Sequence, residues 1–174
     1  MAIAPALVTD GALEGIRVVE LASGVAGPFC ARLFADYGAD VIKVELPMSG
    51  DLTRGWGPFP GDRPDREKSG TFFFLNTNKR SVTLDMGVSG DRERFLELVR
   101  RADVLIASHR PQQLREWDLD YSGLSALNPK LVMIAITPFG QTGPYADWNG
   151  HDLNAYHLSG CGSRYCGRPD DARA

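Results

Sequence analysis

The sequence predicts an α/β fold, a Rossmann-like and mostly parallel sheet with helices on both faces. Three observations carry that expectation. Short runs rich in branched apolar residues alternate with amphipathic stretches along the chain. The runs are apolar at consecutive positions rather than alternate ones, as strands buried on both faces require. Glycine, proline and small polar residues gather where each run ends, which marks turns and helix starts.

Each element follows from local pattern. Residues 16–21 read as the first strand, ending at Ala22-Ser23-Gly24. Pro28 suits a first helical position, Phe29, Leu33, Phe34 and Tyr37 fall on one face, and Gly38 stops the helix. Cys30 is expected on the core face of that helix. Residues 41–44 form a second strand, closed by Glu45 and Pro47. Residues 48–70 are rich in glycine, proline and charge, and a connection this long inside a compact domain is commonly functional. Past the apolar Phe72-Phe73-Phe74-Leu75, residues 81–84 read as a third strand. Residues 91–102 place Phe95, Leu98, Val99 and Ala102 on one helical face. Residues 104–107 and 131–136 supply the fourth and fifth strands, with Asn128-Pro129 punctuating the last crossover.

At 174 residues the chain is long enough for one domain with a sizeable core, and 43% hydrophobic content argues against disorder. Residues 1–12 are expected to be extended or disordered, and residues 13–174 to form the domain. A formal net charge of −3 gives no nucleic-acid footprint. No stretch approaches the ~20 apolar residues of a membrane span. The first residues lack a basic start followed by an apolar run, so they do not read as a secretory signal. Three cysteines make no disulfide framework, and Cys161 and Cys166 have no His or Cys cluster to complete a metal site. Free thiols without a signal point to the cytoplasm.

Ligands of an open parallel sheet bind at the carboxyl ends of its strands. Those ends are residues 22–27, 45–55, 84–87, 108–111 and 137–144. One reading is a nicotinamide-dinucleotide site, with Gly24 and Gly27 in the first turn and Glu45 as a ribose-binding acid. The G-x-G-x-x-G pattern is incomplete, and a tight turn with close helix packing explains both glycines equally well. Two prolines and two glycines in residues 137–145 deliver His151 and Asp152 to the start of a helix, as a general acid/base pair. The alternative has Asp152 capping the helix and His151 on the surface.

These residues resemble the class III CoA-transferase (CaiB/BaiF) family, which includes carnitine- and formyl-CoA transferases and α-methylacyl-CoA racemases. The match runs in order from Leu13-Glu14-Gly15-Ile16-Arg17-Val18-Val19-Glu20 through Ala26-Gly27-Pro28 and Gly38-Ala39-Asp40-Val41-Ile42-Lys43-Val44-Glu45. It continues through Gly50-Asp51, Asn78-Lys79-Arg80-Ser81, Leu84-Asp85, Ala102-Asp103-Val104-Leu105, Leu127-Asn128-Pro129 and Gly140-Gln141-Thr142-Gly143-Pro144. The chain is then the amino-terminal, incomplete part of the family's large domain.

The resemblance implies an acyl-CoA:carboxylate CoA-transferase, with CoA or acyl-CoA as substrate and no permanently bound cofactor. CoA would lie against Val25, Ala26, Leu84, Asp85, Met86, Gly87, Ser108, His109 and Arg110, with Lys79 and Arg80 as further phosphate partners. Two positions depart from the family: Leu46 stands where relatives often carry a basic residue, and Arg115-Glu116 reverses a common order. In family transferases an aspartate attacks the thioester. It follows the segment that Gly167-Arg168-Pro169-Asp170 resembles, which sets it beyond Ala174, and the fragment alone is expected to be catalytically silent. The racemases carry a Gly-His-Asp segment like Gly150-His151-Asp152, which keeps racemisation open with His151 as acid/base. A non-catalytic CoA- or nucleotide-binding module is a third reading. Family members form interlocked homodimers.

Overall fold

The computed structural model describes residues 11–162; the expected N-terminal extension, Cys166 and the segment 167–170 lie largely or wholly outside these residues. Five strands form one sheet: β1 (Arg17–Leu21), β2 (Asp40–Glu45), β3 (Arg80–Thr83), β4 (Val104–Ala107) and β5 (Val132–Ala135). All four pairings are parallel and the spatial order is β3-β2-β1-β4-β5. The chain therefore winds outward from β1 to β3, returns to the far side of β1, and winds outward again. Right-handed crossovers then place the helices of the two halves on opposite faces.

Among the described residues, six α-helices connect or follow the strands: α1 (Ala26–Asp36), α2 (Gly70–Asn76), α3 (Ser89–Arg100), α4 (Pro111–Glu116), α5 (Tyr121–Leu127) and α6 (Asp152–Leu158). One core cluster joins Val19, Leu21, Val44 and Leu105 to Phe95 and Val99 of α3, Leu114 of α4 and Leu124 of α5. The other joins Val18, Val41, Val104 and Ile106 to Ala31 and Ala35 of α1. Successive strand residues point to opposite faces, so Val18 and Val19 serve different clusters.

The central strands match the sequence reading within a residue, because β1, β2 and β4 are buried on both faces. The edge strands also match within a residue but are not buried on both faces: β3 is largely exposed, and Val132 of β5 is 57% exposed. Helix α1 corrects the expected amphipathic face. Its fully buried face is the small one, Gly27, Pro28, Ala31 and Ala35, while Phe29, Leu33 and Tyr37 are exposed; Phe34 of the expected stripe, and Cys30 as expected, pack partly buried against the α1 cluster. Close approach explains this, since a Cβ on Gly27 would lie 2.4 Å from the Ala22 Cβ. At the start of α1 a larger side chain has no room against the sheet.

The long connection between β2 and α2 is ordered by its own polar groups. It contains two 3-10 turns, Leu52–Gly55 and Pro60–Asp62. Ser69 caps α2 by accepting from the Phe72 amide at 3.0 Å, and its hydroxyl donates to the Thr53 carbonyl at 2.7 Å. The loop is thereby folded back over the carboxyl end of the sheet.

Candidate functional site

Three loops meet where β1 and β4 diverge, the crevice in which an open sheet binds ligands. They are fastened by buried charge. Glu20 and Lys43 are register partners on adjacent central strands. Their side chains are 0% and 1% exposed, with Lys43 Nζ 2.7 Å from Glu20 Oε1 and 2.7 Å from Asp51 Oδ2. Lys79 Nζ reaches Glu20 Oε2 at 2.8 Å and also donates to the Pro28 carbonyl at 2.7 Å. Two cations thus balance two carboxylates away from water, as buried charge demands. Burial draws the Lys79 ammonium down to about 8, against the opposing pull of Glu20.

Asp51 carries this network to the ligand edge. Its Oδ1 accepts from the Thr53 amide at 2.8 Å, the Thr53 hydroxyl at 2.7 Å and the Gly24 amide at 3.3 Å. The Ser23 amide donates to Ser108 Oγ at 3.1 Å, and the Leu52 amide to Ser23 Oγ at 3.1 Å. In a dinucleotide fold such turn amides face a pyrophosphate. Here the chain's own carboxylate and hydroxyl occupy those of Ser23 and Gly24.

Glu45 is likewise committed. Arg54 grips it through Nε at 2.7 Å and Nη2 at 2.9 Å, while Ser81 Oγ and the Asp51 amide donate at 2.7 Å and 3.0 Å. Burial alone would raise this carboxyl, but those donors outweigh it and hold it down to about 2. A carboxylate so fully engaged has no free lone pair for a ribose hydroxyl. Arg54 in turn lies 3.7 Å from the Phe72 ring centroid.

The enclosed space is a cavity of about 460 Å³, walled by the ends of four strands and by α4. Of the residues the sequence nominated, Leu84, Asp85, Met86 and His109 line it. Gly87 stands beside it, its amide donating to Asp85 Oδ1 at 2.8 Å. Ser108 serves as the Ser23 acceptor described above. Val25 and Ala26 are exposed at the start of α1, outside the lining. Arg110 turns toward the later loop, where Nη1 donates to the Asp147 carbonyl at 3.0 Å. Arg80 pairs with Asp40 at the opposite end of the sheet.

His109 is packed edge-on against Trp117, with ring centroids 4.9 Å apart. Its Nδ1 lies 3.2 Å from the Leu21 carbonyl oxygen, which can only accept, so Nδ1 carries the proton. Burial lowers its pKa, outweighing the opposing effect of that carbonyl. The imidazole is therefore neutral at physiological pH, with Nε2 as an acceptor.

His151 and Asp152 lie outside this cavity, exposed at the amino end of α6. His151 holds the N-cap position, where its amide donates to Asn154 Oδ1 at 3.1 Å; Asp152 is the first helical residue rather than the cap. Arg115, at the reversed position, pairs with Asp147 at 2.9 Å and Gln112 donates its amide to the same carboxylate. Sequence reasoning missed Lys43, Gln113 and Trp117 as members of the site. The signal for the first was present, since an acid and a base interrupt neighbouring apolar runs at Glu20 and Lys43.

A larger cavity, about 550 Å³, runs along β5 between Leu114, Tyr121 and Val132. It is the open flank of an edge strand. The 460 Å³ cavity draws loops from four strand ends and gathers Glu45, Asp51, Arg66, Asp85 and His109, and it is the better candidate.

Residues 13–173 match the model of CoA-transferase family III. The chain belongs to CoA-transferase family III. Among curated family III relatives, it is 46% identical over 160 residues to succinate–glutarate CoA-transferase of Agrobacterium fabrum, covering 91% of this chain and 40% of that protein. It is 39% identical over 150 residues to acetyl-CoA:oxalate CoA-transferase of Acetobacter aceti, covering 86% and 37%. A CaiB/BaiF protein from Brucella suis superposes with a TM-score of 0.78 at 41% identity, over 87% of this chain and 40% of that one. The chain thus spans about 40% of the length of these family III proteins.

Proposed function

We propose that this chain forms the CoA-binding part of an acyl-CoA:carboxylate CoA-transferase. One observation carries the reading: the 460 Å³ cavity lies at the carboxyl edge of the sheet and takes Leu84, Asp85, Met86 and His109 as walls. Those residues are the ones that the family resemblance assigns to CoA. The relatives named above are transferases that move CoA between carboxylic acids, which agrees in chemistry.

In the proposed reaction the two partners are an acyl-CoA and an acceptor carboxylic acid. A carboxylate attacks the thioester carbonyl and expels CoA as thiolate, leaving a mixed anhydride. The thiolate then attacks the enzyme-side carbonyl of that anhydride and releases the donor carboxylate, leaving an enzyme-bound thioester. The acceptor carboxylate attacks this thioester and expels the thiolate, which attacks the acceptor's acyl carbon to give the new acyl-CoA and free the enzyme carboxylate. The residues described here do the holding. Leu84 and Met86 bury the apolar arm of pantetheine, His109 Nε2 accepts from an N–H of the carrier, and the Lys43 network keeps the Ser23–Gly24 turn from shifting during exchange. The attacking carboxylate, by the same reading, is an aspartate outside the residues described here, in an interlocked dimer.

The test is an exchange assay on the protein in its full natural length. With succinyl-CoA and a panel of carboxylates, one thioester disappears as another appears in equal amount, while His109→Ala raises KM for the thioester about 10-fold. Hydrolysis without transfer, or epimerisation of a 2-methylacyl-CoA without transfer, refutes the proposal.

A further inference from the structure

A phosphorylated ligand needs a cation, and nearly every cation at this edge is already spent. Lys43 faces Glu20 and Asp51, Lys79 faces Glu20, and Arg54 grips Glu45. Arg110 and Arg115 hold the Asp147 segment, and Arg80 lies with Asp40 at the other end of the sheet. Leu46, 50% exposed on the cavity wall, carries no charge.

Arg66 is the exception. It reaches the same cavity from the connection between β2 and α2, and among the described residues it makes no hydrogen bond or ion pair. The acids beside it are engaged elsewhere: Asp65 pairs with Lys68 at 2.8 Å and Glu67 with Arg54 at 3.2 Å. The Glu67 contact and the buried Ser69 hydroxyl anchor the segment on which Arg66 stands. The cavity's carboxylates do not compete strongly. Glu45 and Asp51 are neutralised by Arg54 and Lys43, and Asp85 Oδ1 is taken by the Gly87 amide.

We infer that Arg66 is the phosphate-binding residue of the cavity, receiving a phosphate group of the CoA carrier on its guanidinium. The inference rests on the CoA reading above. Guanidinium matches phosphate oxygens in pairs, and a side chain free of internal partners pays no ion pair to bind one.

Calorimetric titration of the full-length protein with CoA, 3′-dephospho-CoA and pantetheine separates the possibilities. Arg66→Gln weakens CoA about 10-fold, leaves pantetheine within about 2-fold, and flattens the salt dependence of CoA binding, while Arg66→Lys restores most of the loss. Equal weakening of CoA and pantetheine, or no weakening of CoA, overturns the assignment. So does a loss confined to the KM of the carboxylate acceptor, which would make Arg66 a carboxylate partner. Wild-type protein that binds none of the three overturns the CoA reading, and this inference with it.

Discussion

Lys43 stands between two carboxylates, and removing it leaves Asp51 buried without a cation while Glu20 keeps Lys79. Lys43→Met is expected to cost about 3–5 kcal/mol, and Lys43→Met with Asp51→Asn to recover part of that, because the orphaned charge goes too. Denaturant midpoints at pH 7 measure both; an additive loss in the double variant would contradict the coupling. Glu45 gives a prediction in pH. Its folded pKa, about 2, lies below its ordinary value of 4.5, so its contribution to stability is complete above pH 4.5 and lost as pH falls toward 2. Glu45→Gln should therefore flatten the decline of the urea midpoint across that window, and an unchanged slope would contradict the assignment. At this scale the sequence was only partly legible. The family resemblance nominated Asp85 and His109, which line the cavity, whereas the Lys43 and Asp51 roles depend on which side chains meet between β1, β2 and the connection after β2.

Helix α1 shows why periodicity can identify an element and still misplace its core face. Phe29, Leu33 and Tyr37 made the stripe that pattern favours, yet Ala31 is 0% exposed and Tyr37 60%. Gly27 brings the start of the helix so close to Ala22 that a larger residue there would clash, while Phe34 and Cys30 still reach the core partly buried. In the chain described here, Ala31→Leu should cost about 1–3 kcal/mol by overpacking, and Tyr37→Ser should stay within about 0.5 kcal/mol. Thermal or urea unfolding compares them, and a larger loss for Tyr37→Ser would restore the expected face. The central strands were legible to within a residue because burial on both faces leaves apolar runs broken only at Glu20 and Lys43. The apolar run at Phe72–Leu75 belongs to α2, where the Ser69 cap decides the outcome.

Across the whole molecule, the order β3-β2-β1-β4-β5 creates a single reversal, and the candidate site sits at it. That much follows from alternating elements and parallel pairing, which the sequence displayed. The identity of the site's cation did not follow, since Arg66 lies in an irregular segment without periodicity. Exposed apolar groups on α1, α2 and β5 remain as open flanks, in a chain whose match spans about 40% of the length of such relatives. Among the described residues, no helix is long and apolar enough to cross a membrane. The most direct measurement is a crystal structure of the full-length protein with CoA bound. The account predicts the carrier at the carboxyl edge of the sheet, against Leu84, Met86 and His109, with a phosphate on Arg66. A carrier lodged instead along β5, or at the amino ends of the strands, would contradict it.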